Sequence, residues 1–423
     1  MNETFEPSSR SLTDPIAKVS LRKISSLDGS ELFENIEEKK LDLETKKRSI
    51  TIPKSSAARP YRANAFTRLY ARLRYFGAVA KQRFSGIEYP VIAVLVVNNK
   101  CNWNCTYCFG DYPARKDNDY TTDEIKYLVD ELYAMGVRYL NVHGGETLLR
   151  PDIGEICNYI KGKGMYLCVI TNGSLLEKKI GDVRNVDNLT VSLDGAPEGN
   201  DRNRGKGAYA ATMKAIEIAL REKIPLRVQA TLTKHTMHDV GYLARLAHEK
   251  NFHLQFSILF KPLKKALDTQ MTRDEIRRAI AEIQKYRAMG YPIFTSDRSL
   301  QAAYEWPYDY NDRHHITEAQ IPESYRKHHI KCFYSRTKFT IEADGYVYPC
   351  FLTTDGSFKP KNWRVDGLRE AIRHVQTKNT CRACPAMTHS DHNLLLGMDA
   401  RQIAYLVRDQ IKETFRIRNR PSV

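Results

Sequence analysis

Residues 91–108 read "VIAVLVVNNKCNWNCTYC". The first seven are apolar and mostly β-branched, which predicts a buried strand of a parallel sheet. Three cysteines follow at once, Cys101, Cys105 and Cys108, spaced C-x3-C-x2-C. A reactive loop set directly after a buried parallel strand is the arrangement of α/β barrels, whose sites form at the carboxyl ends of the strands.

Outward from this stretch the pattern repeats. Strands are expected at 138–143, 165–171, 188–194, 225–233 and 252–260. Helices are expected over "DEIKYLVDELYAMG" and near 152–163, 208–221, 238–250 and 272–288. Thr121 and Glu124 form a capping box before the first of these, and Gly136 stops it. Six βα units predict an α/β chain, a partial (β/α)6 TIM-type barrel over residues 89–290.

The flanks differ. Residues 1–58 are polar and charge-dense, predicting a disordered segment or a solvated helix. Residues 59–88 form a basic amphipathic helix, with Phe66, Leu69, Tyr70, Leu73 and Phe76 at helical spacing. Such a helix packs on its own protein or lies on an anionic membrane surface. Residues 291–331 lose all periodicity and read as an aromatic-rich linker. Tyr304, Trp306, Tyr308 and Tyr310 would cover a substrate there or pack between domains. Residues 332–423 read as a small α+β domain, with a hairpin turning at Asp344-Gly345, a helix near 366–376 and a terminal helix at 399–417.

With 423 residues, the chain has room for this barrel and one smaller domain. The N-terminus lacks an apolar leader and no run is long enough to span a membrane, so a cytoplasmic chain is expected, with peripheral membrane contact through residues 59–86 as the one exception. A net charge of +16 favours anionic partners such as nucleotides, phosphorylated small molecules or acidic lipids. A nucleic-acid partner is not expected.

The chain has nine cysteines. Cys157 and Cys168 lie among apolar residues and read as core thiols. In a reducing compartment the clustered remainder read as metal ligands. Three thiolates on a four-iron cubane leave one iron open for a substrate, whereas four would suit it only to electron transfer. A three-cysteine zinc site completed by His143 is the alternative.

The motifs that follow narrow the choice. "HGGETLL" follows the second strand, "TNGSLL" the third, and "SLDG" ends the fourth. Together with C-x3-C-x2-C after the first strand, this resembles the radical S-adenosylmethionine (SAM) enzymes over residues 90–260. The resemblance implies that Cys101, Cys105 and Cys108 hold a 4Fe-4S cluster and that SAM chelates its open iron. Gly144, Gly145 and Glu146 would hold the methionine amine. Ser192 and Asp194 would meet the ribose or the SAM carboxylate, Asn172 would be a nearby polar contact, and Tyr107 and Phe109 would lie by the adenine. Thr147 stands where the family often has proline. "DRNRGKGAY" (201–209) reads as punctuation before a helix, with Arg202 or Arg204 in reach of SAM.

Cys332 and Cys350, with Gly345 between them, resemble the opening of the SPASM and twitch extensions. Cys381 and Cys384 supply the next pair, but Ser390 and Leu394 occupy the later ligand places. This resembles the twitch form, with one auxiliary 4Fe-4S cluster held by Cys332, Cys350, Cys381 and Cys384; a four-thiolate zinc site is the alternative. A closed cluster would serve as electron relay or structural staple.

The expected activity is reductive cleavage of SAM to a 5′-deoxyadenosyl radical. That radical would take hydrogen from a small metabolite, sugar-like or lipid-linked, and a low-potential donor such as a flavodoxin or ferredoxin would supply the electron. Lys261, Lys264 and Lys265 would meet an acidic group on such a substrate or form a solvated cluster. The alternatives are radical modification of a ribosomally made peptide, which predicts a strand-pairing element before residue 90, and a non-catalytic iron–sulfur scaffold or electron carrier.

Overall fold

The computed structural model of the chain describes residues 52, 61–112, 115, 119–260, 264–312, 315–406 and 408. The polar segment 1–58, save Ile52, lies outside the described residues, as do Lys261 and the end of the terminal helix.

Helix α1 (Ala65–Ser85) opens on an Asn64 capping box and ends at Gly86 in the left-handed region. Then β1 (Ile92–Val96), α2 (Thr122–Ala134), β2 (Tyr139–His143), α3 (Ile153–Gly162), β3 (Tyr166–Thr171), α4 (Leu176–Val183) and β4 (Asn188–Ser192) alternate. Helices α5 (Pro197–Arg204) and α6 (Ala208–Arg221), β5 (Leu226–Leu232), α7 (Val240–Lys250), β6 (His253–Ile258) and α8 (Arg273–Ala288) complete the series. Strands β1 to β6 pair in sequence order, each parallel to the next. The partial barrel and the Thr121–Glu124 capping box stand as expected. Helix α5 falls where only punctuation was expected. Asp201 caps the turn after it, accepting from Gly207 N at 2.7 Å and Tyr209 N at 2.7 Å.

The strands alternate. Leu140, Val142, Leu167, Val169, Leu189, Val191, Val228 and Ala230 are fully buried, as period two requires of the face under the helices. The opposite face is polar. Asn188 Nδ2 donates to Cys168 Sγ at 3.3 Å, Gln229 Nε2 to Ser257 Oγ at 3.1 Å, and Arg227 Nη1 to Gln255 Oε1 at 3.4 Å. Cys168 thus belongs to this polar interior, whereas Cys157 is buried on α3.

Helix α9 (Asp297–Tyr304) and β7 (Ile316–Thr317) lie in the aromatic-rich stretch. Trp306 and Tyr310 are fully buried. The Trp306 ring meets Tyr325 edge-on at 5.6 Å, and the Tyr310 ring stacks on Phe260 at 6.1 Å. These two rings therefore pack the interior and do not cover a substrate.

The hairpin β8 (Lys338–Ile341) and β9 (Tyr346–Tyr348) turns at Asp344-Gly345 as expected. Gly345 takes φ 95°, and a Cβ there would meet Asn362 Oδ1 at 2.5 Å. Strand β10 (Lys361–Asn362) extends it, and β8 pairs in parallel with β1. The hairpin flanked by Cys332 and Cys350 thus belongs to the same nine-stranded sheet as the barrel, whereas Cys381 lies on a separate two-stranded sheet.

Helices α10 (Trp363–Asp366) and α11 (Leu368–Lys378) lead to β11 (Cys381–Ala383), which pairs with β7. Helix α12 (Met387–Leu396), not expected from the sequence, is buried nearly throughout. Asp391 Oδ1 accepts from Ser296 Oγ at 2.6 Å and Ser299 Oγ at 2.7 Å, pinning α12 to the start of α9.

Helix α1 departs from its expected orientation. The buried face is Ala71, Tyr75, Val79 and Gln82, and Tyr75 meets the first residues of β2 and β3 (Tyr139 at 5.2 Å, Tyr166 at 6.2 Å). The expected apolar stripe, Phe66, Leu69, Tyr70 and Leu73, is left exposed. Only Phe76, half-buried, joins the packed side.

Candidate active site

The three-cysteine loop leaves the carboxyl end of β1 and is tied by main chain to its neighbours. Gly145 N donates to Asn98 O at 3.1 Å and Glu146 N to Lys100 O at 2.7 Å, so the loop after β2 is laced to the loop after β1. Thr106 N donates to Asn203 O at 2.9 Å, joining the loop to α5. Asn172 Nδ2 donates to Asn102 Oδ1 and Asn102 Nδ2 to Ser174 Oγ, both at 2.9 Å, joining it to the loop after β3. Cys101 and Cys108 pack against Val96, Tyr112 and Ala343.

The two glycines answer to this lacing. A Cβ on Gly144 would meet Asn98 Oδ1 at 2.0 Å, and one on Gly145 would meet Lys100 O at 2.3 Å. Glycine is therefore required by the close approach of two loops, a reason independent of any ligand. Glu146 likewise turns inward. Its carboxylate is buried and accepts from Thr171 Oγ1 at 2.6 Å, Asn172 N at 2.7 Å and Leu148 N at 2.9 Å. Burial pushes the carboxyl up, against these hydrogen bonds. Its main chain is taken up by Lys100 O and Asn98 Nδ2, and its side chain locks the β2 and β3 loops together.

Asp194 is the hub of the opposite wall and has no exposed surface. It holds Arg204 in a two-pronged pair, at 2.9 Å from Nε and 2.8 Å from Nη2. It also accepts from Tyr107 OH at 2.6 Å, Asn203 Nδ2 at 3.3 Å and Thr231 N at 3.0 Å. With five donors in place, Asp194 acts by positioning Arg204 and Tyr107. Arg204 is buried beneath the Cys105 side of the loop and lies 5.7 Å from the centre of the Tyr107 ring. Ser192 ends β4 half-buried. Phe109 is exposed and reaches Phe351, next to Cys350, at 5.4 Å between ring centres.

Burial pushes the Cys105 thiol up to about 12 and raises Cys101. Such thiols keep their protons until a metal displaces them. The second set gathers Cys332 before β8, Cys350 after β9, and Cys381 and Cys384 on and after β11. A hydrogen bond from Cys381 holds the Cys332 thiol below its ordinary value. Burial drives Cys350 up to about 12. Cys384 Sγ lies 3.9 Å from His389 Nδ1. Among the described residues no group of three or more His, Cys, Asp or Glu side chains converges as one metal ion would require. A four-iron cluster takes each thiolate on a separate corner and asks for a wider set. Thiols are the donors such clusters take.

Three groups near the mouth escaped sequence reading as a set. Glu342, at the end of β8, pairs with Arg115 at 2.8 Å. Burial raises its carboxyl, and its Oε1 has no hydrogen-bond partner. His143, ending β2, is driven down to about 4 by burial and the nearby Lys338 charge, so it is neutral at pH 7. Alternation along "KFTIE" signals that Glu342 shares a face with Lys338; nothing local signals Arg115. A separate cavity of about 70 Å³, lined by Arg72, Tyr75, Tyr139, Arg227 and His392, lies at the amino ends of the strands.

Residues 95–247 match the radical SAM superfamily. The Fe-coproporphyrin III synthase of Methanosarcina barkeri (strain Fusaro / DSM 804) is 29% identical over 237 residues, 52% of this chain and 59% of that protein; the chain thus spans about three-fifths of that relative. The mycofactocin maturase MftC of Mycobacterium ulcerans (strain Agy99) is 24% identical over 316 residues, 71% of this chain and 81% of that protein. Among solved structures, Streptococcus suis SuiB bound to precursor peptide SuiA superposes with a TM-score of 0.54 at 17% identity, covering 83% of this chain and 82% of that one. This last likeness is one of fold.

Proposed function

We propose, from the premise that this chain is a radical SAM protein of the SPASM/twitch subgroup, that it is a radical SAM enzyme acting on a peptide. When bound, SAM and the reduced three-thiolate cluster supply a 5′-deoxyadenosyl radical able to take hydrogen from an unactivated carbon. Cys101, Cys105 and Cys108 hold the cluster; the Gly144–Gly145 main chain, Asn172 and Ser192 face SAM. Asp194 fixes Arg204 and Tyr107, and Phe109 and Tyr112 shield the loop from water. Cys332, Cys350, Cys381 and Cys384 would hold the auxiliary cluster, which would supply an acceptor for an electron left on the substrate.

The observation that carries this reading is the three-cysteine loop laced by main chain to the loops after β2 and β3. Support for a peptide comes from SuiB, solved with a precursor peptide. Among the described residues before 90 there is a helix and no strand. A small metabolite is the second reading, favoured by the polar interior around Gln229 and Ser257.

Anaerobic protein with SAM and a low-potential reductant should release 5′-deoxyadenosine, and a small-molecule-plus-peptide extract should raise the yield. Protease treatment of the extract should remove that stimulation. Stimulation that survives the protease would move the substrate to the small-metabolite class, and no 5′-deoxyadenosine at all would leave an electron carrier.

A further inference from the structure

Helix α1 carries two apolar faces, and the barrel uses only one. Tyr75 and Val79 are buried against the floor of the barrel, but Phe66 is 75% exposed, Leu69 53%, Leu73 59% and Phe84 81%. These positions recur at helical spacing, and Ile87 prolongs the line just past the helix end. Between residues 62 and 87 stand Arg62, Arg68, Arg72, Arg74, Lys81 and Arg83, and no Asp or Glu. Arg68 and Arg74 are spent on the protein, donating to Arg184 O at 3.1 Å and Lys163 O at 2.9 Å. Arg62, Lys81 and Arg83 are exposed beside the apolar line.

We propose that this face of α1 docks the protein on an anionic lipid bilayer. An apolar line of this size is uncommon on a free surface. Flanked by bases, with Glu88 at its end paired to Arg336, it matches the two demands of an interfacial helix, apolar burial and attraction to acidic headgroups. A second copy of the chain is the poorer occupant, because a two-fold contact through α1 would set each basic row against its like. The docking has a direction. Tyr75 rests on the first residues of β2 and β3, so α1 crosses the amino ends of the strands, while the cysteine loop leaves their carboxyl ends. The docked protein turns its mouth away from the lipid.

The test is co-sedimentation of the full chain with vesicles of phosphatidylcholine alone or mixed with phosphatidylglycerol. Binding should require the anionic lipid and weaken as salt is raised. Leu69→Ser with Leu73→Ser should lower it at least about tenfold, and Lys81→Ser with Arg83→Ser should lower it on anionic vesicles. Both variants change exposed side chains, so iron content and melting temperature should match the parent. Wild-type protein that stays in solution with anionic vesicles at low salt overturns the proposal. So does a double serine variant that sediments as the parent does. A dimer that the serine substitutions turn into a monomer, without vesicle binding, would assign the face to a second copy instead.

Discussion

At the residue scale the site is built from groups that mostly bind one another. Asp194 shows this best, and it yields a prediction. Asp194→Asn leaves the buried Arg204 guanidinium without its charge partner. Breaking a buried pair from one side costs about 3–5 kcal/mol, read as a lowered melting temperature, and 5′-deoxyadenosine formation should fall with it. Gly145→Ala should act differently. Its Cβ would strike Lys100 O and push the three-cysteine loop aside. Iron per chain should drop by roughly half, the auxiliary cluster remaining.

His143 gives a pH dependence. In the folded chain it takes a proton only near pH 4, against 6.5 for the ordinary group. Between those values the unfolded state binds more protons, so stability falls as pH drops from about 6.5 to 4 and levels off below. Denaturation midpoints should show this slope, and His143→Gln should flatten it. Of all these residues the cysteines were the most legible, because their spacing is local. The roles of Asp194 and Glu146 were not, since their partners Arg204, Thr231 and Thr171 become neighbours only once the strands are in place.

At the element scale the six strands were readable because each is a short run carrying apolar residues between helical stretches. Helix α12 was not. It is buried nearly all round and carries His389, Asp391, His392 and Asn393, so it has no apolar stripe to betray a helix. Helix α1 misled in the opposite way, since its most regular apolar stripe is the one it does not bury. Between α3 and β4 lies another test. Lys161 pairs with Asp187 with neither side chain exposed. Lys161 Nζ also donates to Met165 O at 3.0 Å, and Asp187 accepts from Leu167 N at 2.8 Å. Lys161→Met should destabilise the chain by about 3–5 kcal/mol. Adding Asp187→Leu should restore part of that loss, the gain being the coupling read from a double-mutant cycle.

At the scale of the whole molecule the sequence suggested a barrel followed by a separate small domain, because the βα rhythm stops near residue 290. What it could not show is that β8 returns to lie parallel to β1. Pairing between strands so far apart in the chain leaves no local trace. One sheet implies one cooperative unit. Thermal unfolding of the described body should be a single transition by near-ultraviolet dichroism and by iron absorbance together. Cys384→Ala should lower that one midpoint and not create a second.

The shared sheet also bears on timing. Ile92 to Leu95 lie beside Lys338 to Ile341, so the loop after β1 and the hairpin that leads to Cys350 are riveted to adjoining rails, while Cys381 rides on the separate β7–β11 pair. Were both sets to hold clusters, the sheet would fix the spacing between the loop and the Cys350 side, and a substrate that gates electron passage would act on an energy level at one end.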